Sequence, residues 1–325
     1  MNCYFKAWRA AAAVSLLATT VGAWAQAWPS KPIRLVVPFA VGGVVDLTAR
    51  ETAQVLSARL GQPVIVENRA GNAGMIGVDF VAKAAPDGYT LVMASAGTIA
   101  INPHLFKAMP YDPVKDLVAV APVVQGINIM VVPASSPVKN VREFIAAAKA
   151  APGKINFGSA GTGASDHMAT ELFANMAGIK ITNVPYKGGG PALIDLLAGT
   201  IDLIFSSLPP AIGHVKSGRL RALGVTSANR LEVLPDVPTV AEAGVPGYES
   251  VAWYGLFAPA NTPASIVSRI NAETAATLQN PDLRRRFLEG GLIPFSSSPQ
   301  AFASYVAAET DKWGKVVRAN GIKAD

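Results

Sequence analysis

The sequence predicts an α/β fold of two lobes with a ligand cleft between them. Short runs of β-branched residues alternate with helical stretches, an order typical of parallel strands joined by crossover helices. The chain has 325 residues, and a mature part of about 300 residues fits two lobes better than one. Two segments, 126–133 and 250–259, look like passages between lobes rather than members of a regular unit.

The N-terminus predicts export. Lys6 and Arg9 precede an apolar run that ends in an Ala-Trp-Ala site at 23–25, the pattern of a cleavable secretory signal. The run is shorter than the roughly 20 residues that a membrane-spanning helix needs. We therefore expect residues 1–25 to be a signal peptide and the mature protein to lie in the periplasm. The alternative is an uncleaved N-terminal anchor.

Composition excludes several classes of protein. The only cysteine, Cys3, lies in the predicted signal, so we expect no disulfide and no cysteine metal site in the mature chain. The formal net charge is +6, and apart from Arg284–Arg286 the basic residues are dispersed. This distribution does not suit a nucleic acid backbone, whereas a mild positive field favours anionic solutes.

The predicted elements determine where the loops fall. Strands are predicted at 33–39, 63–67 and 89–94, with helices at 44–60 and 74–84. A second set has strands at 129–132, 155–158, 182–185, 202–205 and 221–225, with helices at 141–150, 166–177, 191–198 and 209–216. The C-terminal part reads as mostly helical. If the chain passes from one lobe to the other at both of these segments, residues 26–126 plus 254–325 form lobe 1 and residues 127–253 form lobe 2.

Four turns rich in glycine or hydroxyl groups follow predicted strands, at residues 39–46, 95–98, 158–165 and 185–191. In parallel sheets, ligands bind at the carboxyl ends of strands and at the amino ends of the next helices. Helix starts offer unpaired N–H groups and positive dipole character, which suit a carboxylate. A single turn of this kind is more often simple loop geometry, but four of them on both predicted lobes favour a binding cleft.

Known enzyme motifs are not matched. The sequence has no Gly-x4-Gly-Lys-Ser/Thr loop and no Gly-x-Ser-x-Gly elbow around Ser159. Its three histidines, His104, His167 and His214, stand far apart in the sequence, without a metal-ligand spacing. We therefore expect binding without turnover, with no cofactor and no metal. The alternative is a periplasmic hydrolase, which would need a nucleophile such as Ser159.

Motifs spread over the whole mature chain carry a family resemblance. They are Trp28–Arg34, Val36–Phe39 with Gly42, Gly43 and Asp46, Gly61–Val64, Val66–Arg69, Ala85–Thr90, Pro110–Pro113, Val184–Gly189, Leu234–Thr239 and Glu242–Gly244. In these motifs the chain resembles the Bug-type receptors, the periplasmic binding component of tripartite tricarboxylate transporters. The resemblance implies a type II-like periplasmic binding protein of the Venus-flytrap kind, with a small carboxylate ligand in its cleft.

The turns and the resemblance together give a set of candidate ligand-binding residues. These are Phe39, Val41, Gly42, Gly43, Asp46, Ser95, Thr98, Ser159, Gly161, Thr162, Gly163, Ser165, His167, Lys187, Gly188, Gly189 and Ser206. Asp46 is expected to cap its helix or hold a bridging water, and a structural role is an equal alternative for His167. The expected partner is a permease of the tripartite tricarboxylate type or, alternatively, a sensor kinase. We expect a monomer that binds no nucleic acid.

Three positions depart from the family pattern. Val41 replaces a usual Pro or small residue, Ala70 replaces a frequent Pro, and Ser206 stands where an Asp is common. Loss of that acid removes a negative charge from one cleft wall, which disfavours a ligand that carries an ammonium group. We therefore expect a carboxylate without an amine, either a di- or tricarboxylate or an aromatic acid.

Overall fold

The computed structural model describes residues 28–161, 163–186 and 188–323. The predicted signal peptide, Thr162 and Lys187 therefore lie outside the described residues. From Lys31 onward, the described residues form one compact unit.

Ten strands and ten α-helices are seen in this described part of the chain, together with two short helical turns at Asn72–Gly74 and Gly97–Ile101. The strands are β1 (Ile33–Val37), β2 (Val64–Asn68), β3 (Thr90–Ser95), β4 (Leu117–Pro133), β5 (Asn156–Ser159), β6 (Thr182–Pro185), β7 (Leu203–Ser207), β8 (Leu220–Val225), β9 (Val251–Pro259) and β10 (Leu292–Pro294). The helices are α1 (Val44–Leu60), α2 (Met75–Ala82), α3 (Asn102–Leu105), α4 (Val141–Ala150), α5 (Ser165–Ala177), α6 (Gly189–Ala198), α7 (Leu208–Lys216), α8 (Ala264–Thr277), α9 (Pro281–Glu289) and α10 (Pro299–Asn320). This alternation confirms the predicted α/β class.

The strands form one mixed sheet in the order β2-β1-β3-β9-β4-β7-β5-β6, with β8 and β10 also paired to β4. β1, β2 and β3 run parallel at one side, and β5, β6 and β7 run parallel at the other. β4 connects the two sides, because residues 117–127 pair with β9 whereas residues 128–133 pair with β7 and β8. The helices after these parallel strands begin at the sheet edges where the strands end.

The first half of β4 was not predicted from the sequence. Pro122 lies within this half of β4. Because a proline has no N–H to donate to a neighbouring strand, a proline in the sequence argues against a central strand. The structure accommodates the proline where the pairing with β9 is irregular, between Ala119 and Ala121 and between Pro122 and Val124. Bulges of this kind leave a residue unpaired and permit the strand to continue.

The loop after β1 begins earlier than predicted, because β1 ends at Val37 and not at Phe39. Helix α2 packs directly against this loop. A Cβ atom added to Gly77 of α2 would lie 2.7 Å from the Pro38 Cα and 2.8 Å from the Arg69 carbonyl oxygen. Both are backbone atoms, so they cannot move aside as a flexible side chain would. The absence of a side chain at Gly77 therefore sets how closely α2 approaches the loop.

We expect Gly77→Ala to lower the free energy of unfolding by about 1 to 3 kcal/mol, because overpacking against backbone outweighs the better helix propensity of alanine. Chemical denaturation would measure the change. Gly213→Ala is the matched control, since Gly213 also lies in a helix but has no atom within 4 Å of an added Cβ. That variant should gain up to about 1 kcal/mol. Equal effects of the two substitutions would contradict the close approach at Gly77.

Candidate functional site

Two adjoining cavities lie where the predicted turns meet. One has a volume of about 330 Å³ and is called the Trp313 chamber. Its wall includes Phe39, Val45, Ile101, Leu105, Phe106, Met168 and Trp313. The other has a volume of about 510 Å³ and is called the helix-end chamber. Its wall includes Val44, Ser165, Asp166, Gly189, Gly190, Ser206, Ser207 and Pro209. The two chambers share Ala160, Ala164, Ser165, Ala252 and Tyr254, so they are parts of one cleft.

Four helices of the described chain begin at the wall of the helix-end chamber: α1, α5, α6 and α7. None of them has a side-chain hydrogen bond from its N-cap residue. Of the helices that begin away from both chambers, α4, α9 and α10 are capped by the side chains of Asn140, Asn280 and Ser298, whereas α8 has no side-chain cap. First-turn N–H groups without such caps, together with the helix dipoles, form an anion-binding environment. The amides come mainly from α1, α5 and α6, because prolines occupy positions 209 and 210 of α7.

Asp46 holds the first loop in place. It is only 1% exposed, and its carboxylate accepts hydrogen bonds from the Gly42 N–H (2.9 Å), Arg50 Nε (3.0 Å) and Asn68 Nδ2 (2.8 Å). Asn68 Nδ2 also donates to the Phe39 carbonyl oxygen at 3.0 Å. Burial opposes ionisation of Asp46, but the bonds from Arg50, Gly42 and Asn68 outweigh it and lower the pKa of the carboxyl. With these partners, Asp46 shapes the loop on which Phe39 lies.

The loop between β5 and α5 is built in a similar way. The Asp166 carboxylate accepts hydrogen bonds from the Ala160 N–H at 2.6 Å and from the His167 N–H at 2.9 Å. Burial raises the pKa of Asp166, and these hydrogen bonds only partly oppose the increase. The Gly163 N–H donates to His167 Nδ1 at 3.1 Å. The buried Ser159 hydroxyl donates to Asn183 Oδ1 at 2.8 Å. These side chains support the loop from within.

Ser95 and Thr98 bind each other at the start of the helical turn after β3. The Ser95 N–H donates to Thr98 Oγ1 at 3.1 Å, and the Thr98 hydroxyl donates to the Ser95 carbonyl oxygen at 3.1 Å. Tyr111 donates its phenol to the Thr98 carbonyl oxygen at 2.6 Å. Thr98 is fully buried by this arrangement, whereas Ser95 reaches the wall of the Trp313 chamber.

The structure brings only part of the predicted set to the cleft. The predicted residues on a chamber wall are Phe39, Ser95, Gly161, Gly163, Ser165, Gly189 and Ser206. Those outside both walls are Val41, Gly42, Gly43, Asp46, Thr98, Ser159, His167 and Gly188. Val41 is 71% exposed. Most of the others are neighbours of wall residues and support them, as Asp46 and His167 do.

Several wall residues were not predicted. Tyr254 lies on both walls, in a strand that the sequence suggested only as a passage between lobes. Burial raises the pKa of Tyr254 to about 12, so its phenol is protonated at neutral pH and is able to donate a hydrogen bond. Asn102 and Trp313 also line the Trp313 chamber. Trp313 comes from the C-terminal helix, and no local sequence pattern signals that it reaches this site.

The two chamber walls carry little charge. Among the residues that the structure describes, neither wall has a lysine or arginine, and Asp166 is the only acid. The same part of the chain has no group of three His, Cys, Asp or Glu side chains that could hold a metal ion. It also has no helix that is both long and apolar enough to span a membrane. Among the described wall residues, backbone amides are therefore the main source of positive potential.

We expect Asp46→Asn to lower the free energy of unfolding at pH 7 by about 1 to 3 kcal/mol, since it weakens three part-buried hydrogen bonds to this carboxylate. The lowered pKa means that Asp46 stabilises the fold above the unfolded value near 4 and that this stabilisation is lost as the pH falls through the folded value. Chemical denaturation should therefore show a smaller difference in unfolding free energy between Asp46→Asn and the unaltered protein at pH 3 than at pH 7. Asp236→Asn is the control at an exposed position. If both variants lose the same unfolding free energy, the stabilising role of the Asp46 hydrogen bonds is contradicted.

Comparison with known proteins gives the family. The family model described as "Tripartite tricarboxylate transporter family receptor" matches residues 48–322. The protein BugT of Bordetella pertussis is 37% identical over 92% of this chain and 92% of its own length. A structure of an R. palustris protein with adipate is 39% identical, with a TM-score of 0.77 over 91% of this chain and 99% of that one.

A second solved structure is MatC from Rhodopseudomonas palustris with bound malate. It is 33% identical, with a TM-score of 0.73 over 89% of this chain and 100% of that chain. These likenesses confirm the predicted binding-protein fold. The family match covers β2 and β3 of the first parallel set and all of the second set. The chain is a member of the receptor family of the tripartite tricarboxylate transporters, among the Bug-type solute-binding receptors.

Proposed function

We propose that this protein captures a small organic carboxylate in the periplasm and delivers it to a membrane permease of the tripartite tricarboxylate type. The observation that carries the proposal is the convergence of uncapped helix starts on the helix-end chamber. A charge-assisted hydrogen bond contributes roughly 1.5 to 3 kcal/mol, and micromolar affinity needs only about 8 kcal/mol in total. A few backbone amides therefore suffice to hold a carboxylate without an arginine.

The ligands of two relatives support this choice, because one structure contains adipate and the other malate. An amino-acid ligand is disfavoured by the acids present. Asp166 is the only acid on the described walls, and its carboxylate already accepts the Ala160 and His167 amides. Ser206 lies on the wall of the helix-end chamber without a negative charge. A ligand ammonium group would find no free carboxylate among these residues.

Capture proceeds by closure of two lobes, which we place at residues 26–126 plus 254–325 and at residues 127–253. The change of partners along β4 near residues 127 and 128 supports hinges at 126–133 and 250–259. Hinge closure around a ligand needs only a few residues that absorb the backbone rotation. Residues 1–25 act as the signal peptide that delivers the protein to the periplasm.

The protein binds its ligand without converting it. The Ser159 hydroxyl, the nucleophile that a hydrolase would need, is buried and donates to Asn183. The His167 Nδ1 atom accepts the Gly163 amide and so does not act as a base for Ser159. These contacts support a receptor and disfavour the hydrolase considered from the sequence.

Gly190→Asp tests anion capture directly. An added Cβ at Gly190 has no atom within 4 Å, and an acid in the first turn of a helix favours folding. The new carboxylate faces the proposed anion site, so we expect binding of the tightest ligand among adipate, malate and phenylacetate to weaken more than tenfold. Isothermal titration calorimetry would measure the affinity.

Gly190→Asn is the matched control, because it has nearly the same size and no charge. It should weaken binding much less than Gly190→Asp does. If the two variants bind the ligand equally well, the carboxylate is not held at the start of α6. If none of the three acids binds the unaltered protein, the proposed function loses its support.

A further inference from the structure

An open groove lies outside the two chambers, between α9 and the loop after β8. Its volume is about 640 Å³, and it is called the α9 groove. Val233 forms one side, and Arg284, Arg285, Leu288 and Glu289 line the other. Val233 and Leu288 each keep 47% of their surface exposed, so an apolar surface remains open to solvent there.

The two sides of the α9 groove are anchored in different parts of the fold. Leu231 and Leu234, which flank Val233, are buried in an apolar cluster that also contains residues of β8. In contrast, α9 is tied to α1 by the ion pair between Arg286 and Glu51. Under the lobe limits proposed above, one side therefore belongs to each lobe, and closure changes the width of the groove.

The α9 groove is continuous with one end of the cleft. Leu288 and Glu289 line the groove, and the next two residues, Gly290 and Gly291, lie on the wall of the helix-end chamber. A Cβ atom added to Gly291 would lie 2.7 Å from Pro209 Cδ, so this turn contacts the start of α7. A rearrangement of the turn on ligand capture would therefore reach the groove directly.

The charge of the groove favours an acidic partner. Arg285 pairs with Asp282 and Glu289 of its own helix. Among the described residues, no carboxylate forms an ion pair with Arg284, and its Nη1 donates only a long bond, of 3.4 Å, to the Leu278 carbonyl oxygen. A guanidinium binds a carboxylate through two parallel hydrogen bonds. Arg284 is therefore suited to an aspartate or glutamate of another molecule.

A second copy of this chain fits the groove less well. A symmetric dimer brings the same patch of both subunits together. Arg284 and Arg285 outnumber Glu289 on the groove, so two such patches would repel each other. A different molecule with the opposite charge avoids this cost.

We propose that the α9 groove is the surface by which the membrane permease recognises the closed, loaded receptor. The segment that docks there has an apolar side chain, which packs between Val233 and Leu288, and a neighbouring aspartate or glutamate, which pairs with Arg284. Because closure changes the width of the groove, the permease distinguishes loaded from empty receptor. The inference rests on the proposed function, since it locates the partner surface of the same receptor.

Uptake by intact cells tests the inference. The gene is deleted in the bacterium that carries it and restored with each variant. The measured quantity is the initial uptake rate of the carbon-14 form of whichever acid, among adipate, malate and phenylacetate, the purified protein binds most tightly. We expect Leu288→Asp to lower this rate roughly fivefold, because it places a negative charge where the acidic segment docks. Its affinity for the acid, measured by calorimetry, should stay within about twofold of the unaltered protein, since Leu288 lies outside both chambers.

Met176→Asp is the matched control. Met176 is 40% exposed and, like Leu288, is the last residue but one of its helix, but it lies outside the groove and both chambers. This variant should leave uptake and affinity unchanged. Unaltered uptake in Leu288→Asp, an equal loss of uptake in both variants, or a joint loss of uptake and affinity would overturn the inference. If the deletion strain takes up the acid at the normal rate, the proposed delivery to a permease is overturned, and the inference with it.

Arg284→Gln gives a second test that removes only the charge. We expect it to lower uptake about threefold, because a neutral side chain loses the charge-assisted bonds to the acidic segment. Arg318→Gln, at an exposed position of α10, should have no effect. Unaltered uptake in Arg284→Gln would overturn the assignment of an acidic partner, and this comparison decides if circular dichroism shows that Leu288→Asp does not fold. A dimer in sedimentation velocity that Leu288→Asp abolishes would assign the groove to a second copy and overturn the inference.

Discussion

The N–H groups in the first turn of a helix have no hydrogen-bond acceptor within that helix. The anion-binding character of the cleft depends on where the fold leaves such N–H groups without a side-chain cap. At α4, α9 and α10 the N-cap side chain accepts a hydrogen bond from a first-turn N–H; these side chains are Asn140, Asn280 and Ser298. At the cleft no N-cap side chain does so. The two acids nearest to these helix starts, Asp46 and Asp166, bind loop amides and thereby fix the loops. The positive potential of the site is thus a property of the backbone, and it needs no lysine or arginine on the described walls.

The order of strands, glycine-rich turns and helices could be predicted from the sequence because each of these signals is local. Phe39, Ser165 and Gly189 belong to these predicted turns, and all three lie on the chamber walls. Which way a hydroxyl points is not a local property. Thr98 and Ser159 lie in the predicted turns but bond to residues within the fold. A turn therefore identifies the region of a site more reliably than its contact atoms.

Residues that reach the cleft from distant parts of the chain escaped prediction for a different reason. Tyr254 and Trp313 lie far in sequence from the turns, and only the pairing of β9 with β3 and β4 and the packing of α10 bring them close. Trp313 is held by a hydrogen bond from its Nε1 to Glu309 Oε2 at 3.0 Å. Trp253, next to Tyr254, packs edge-on against Phe302 with ring centroids 5.7 Å apart. These contacts depend on tertiary structure, for which periodicity and composition give no signal.

The tight approach of α2 to the first loop also bears on how such receptors diversify. Because Gly77 leaves no room for even a methyl group against Pro38 and Arg69, the loop that carries Phe39 has little freedom to drift as the sequence changes. The part of the wall that Phe106 forms is less constrained, since Phe106 is only half-buried and ends a short helical turn. Mutations in that wall would alter the shape of the cleft without moving the helix starts. A receptor of this design is able to acquire new ligands during evolution while it retains the means of gripping their common acidic group.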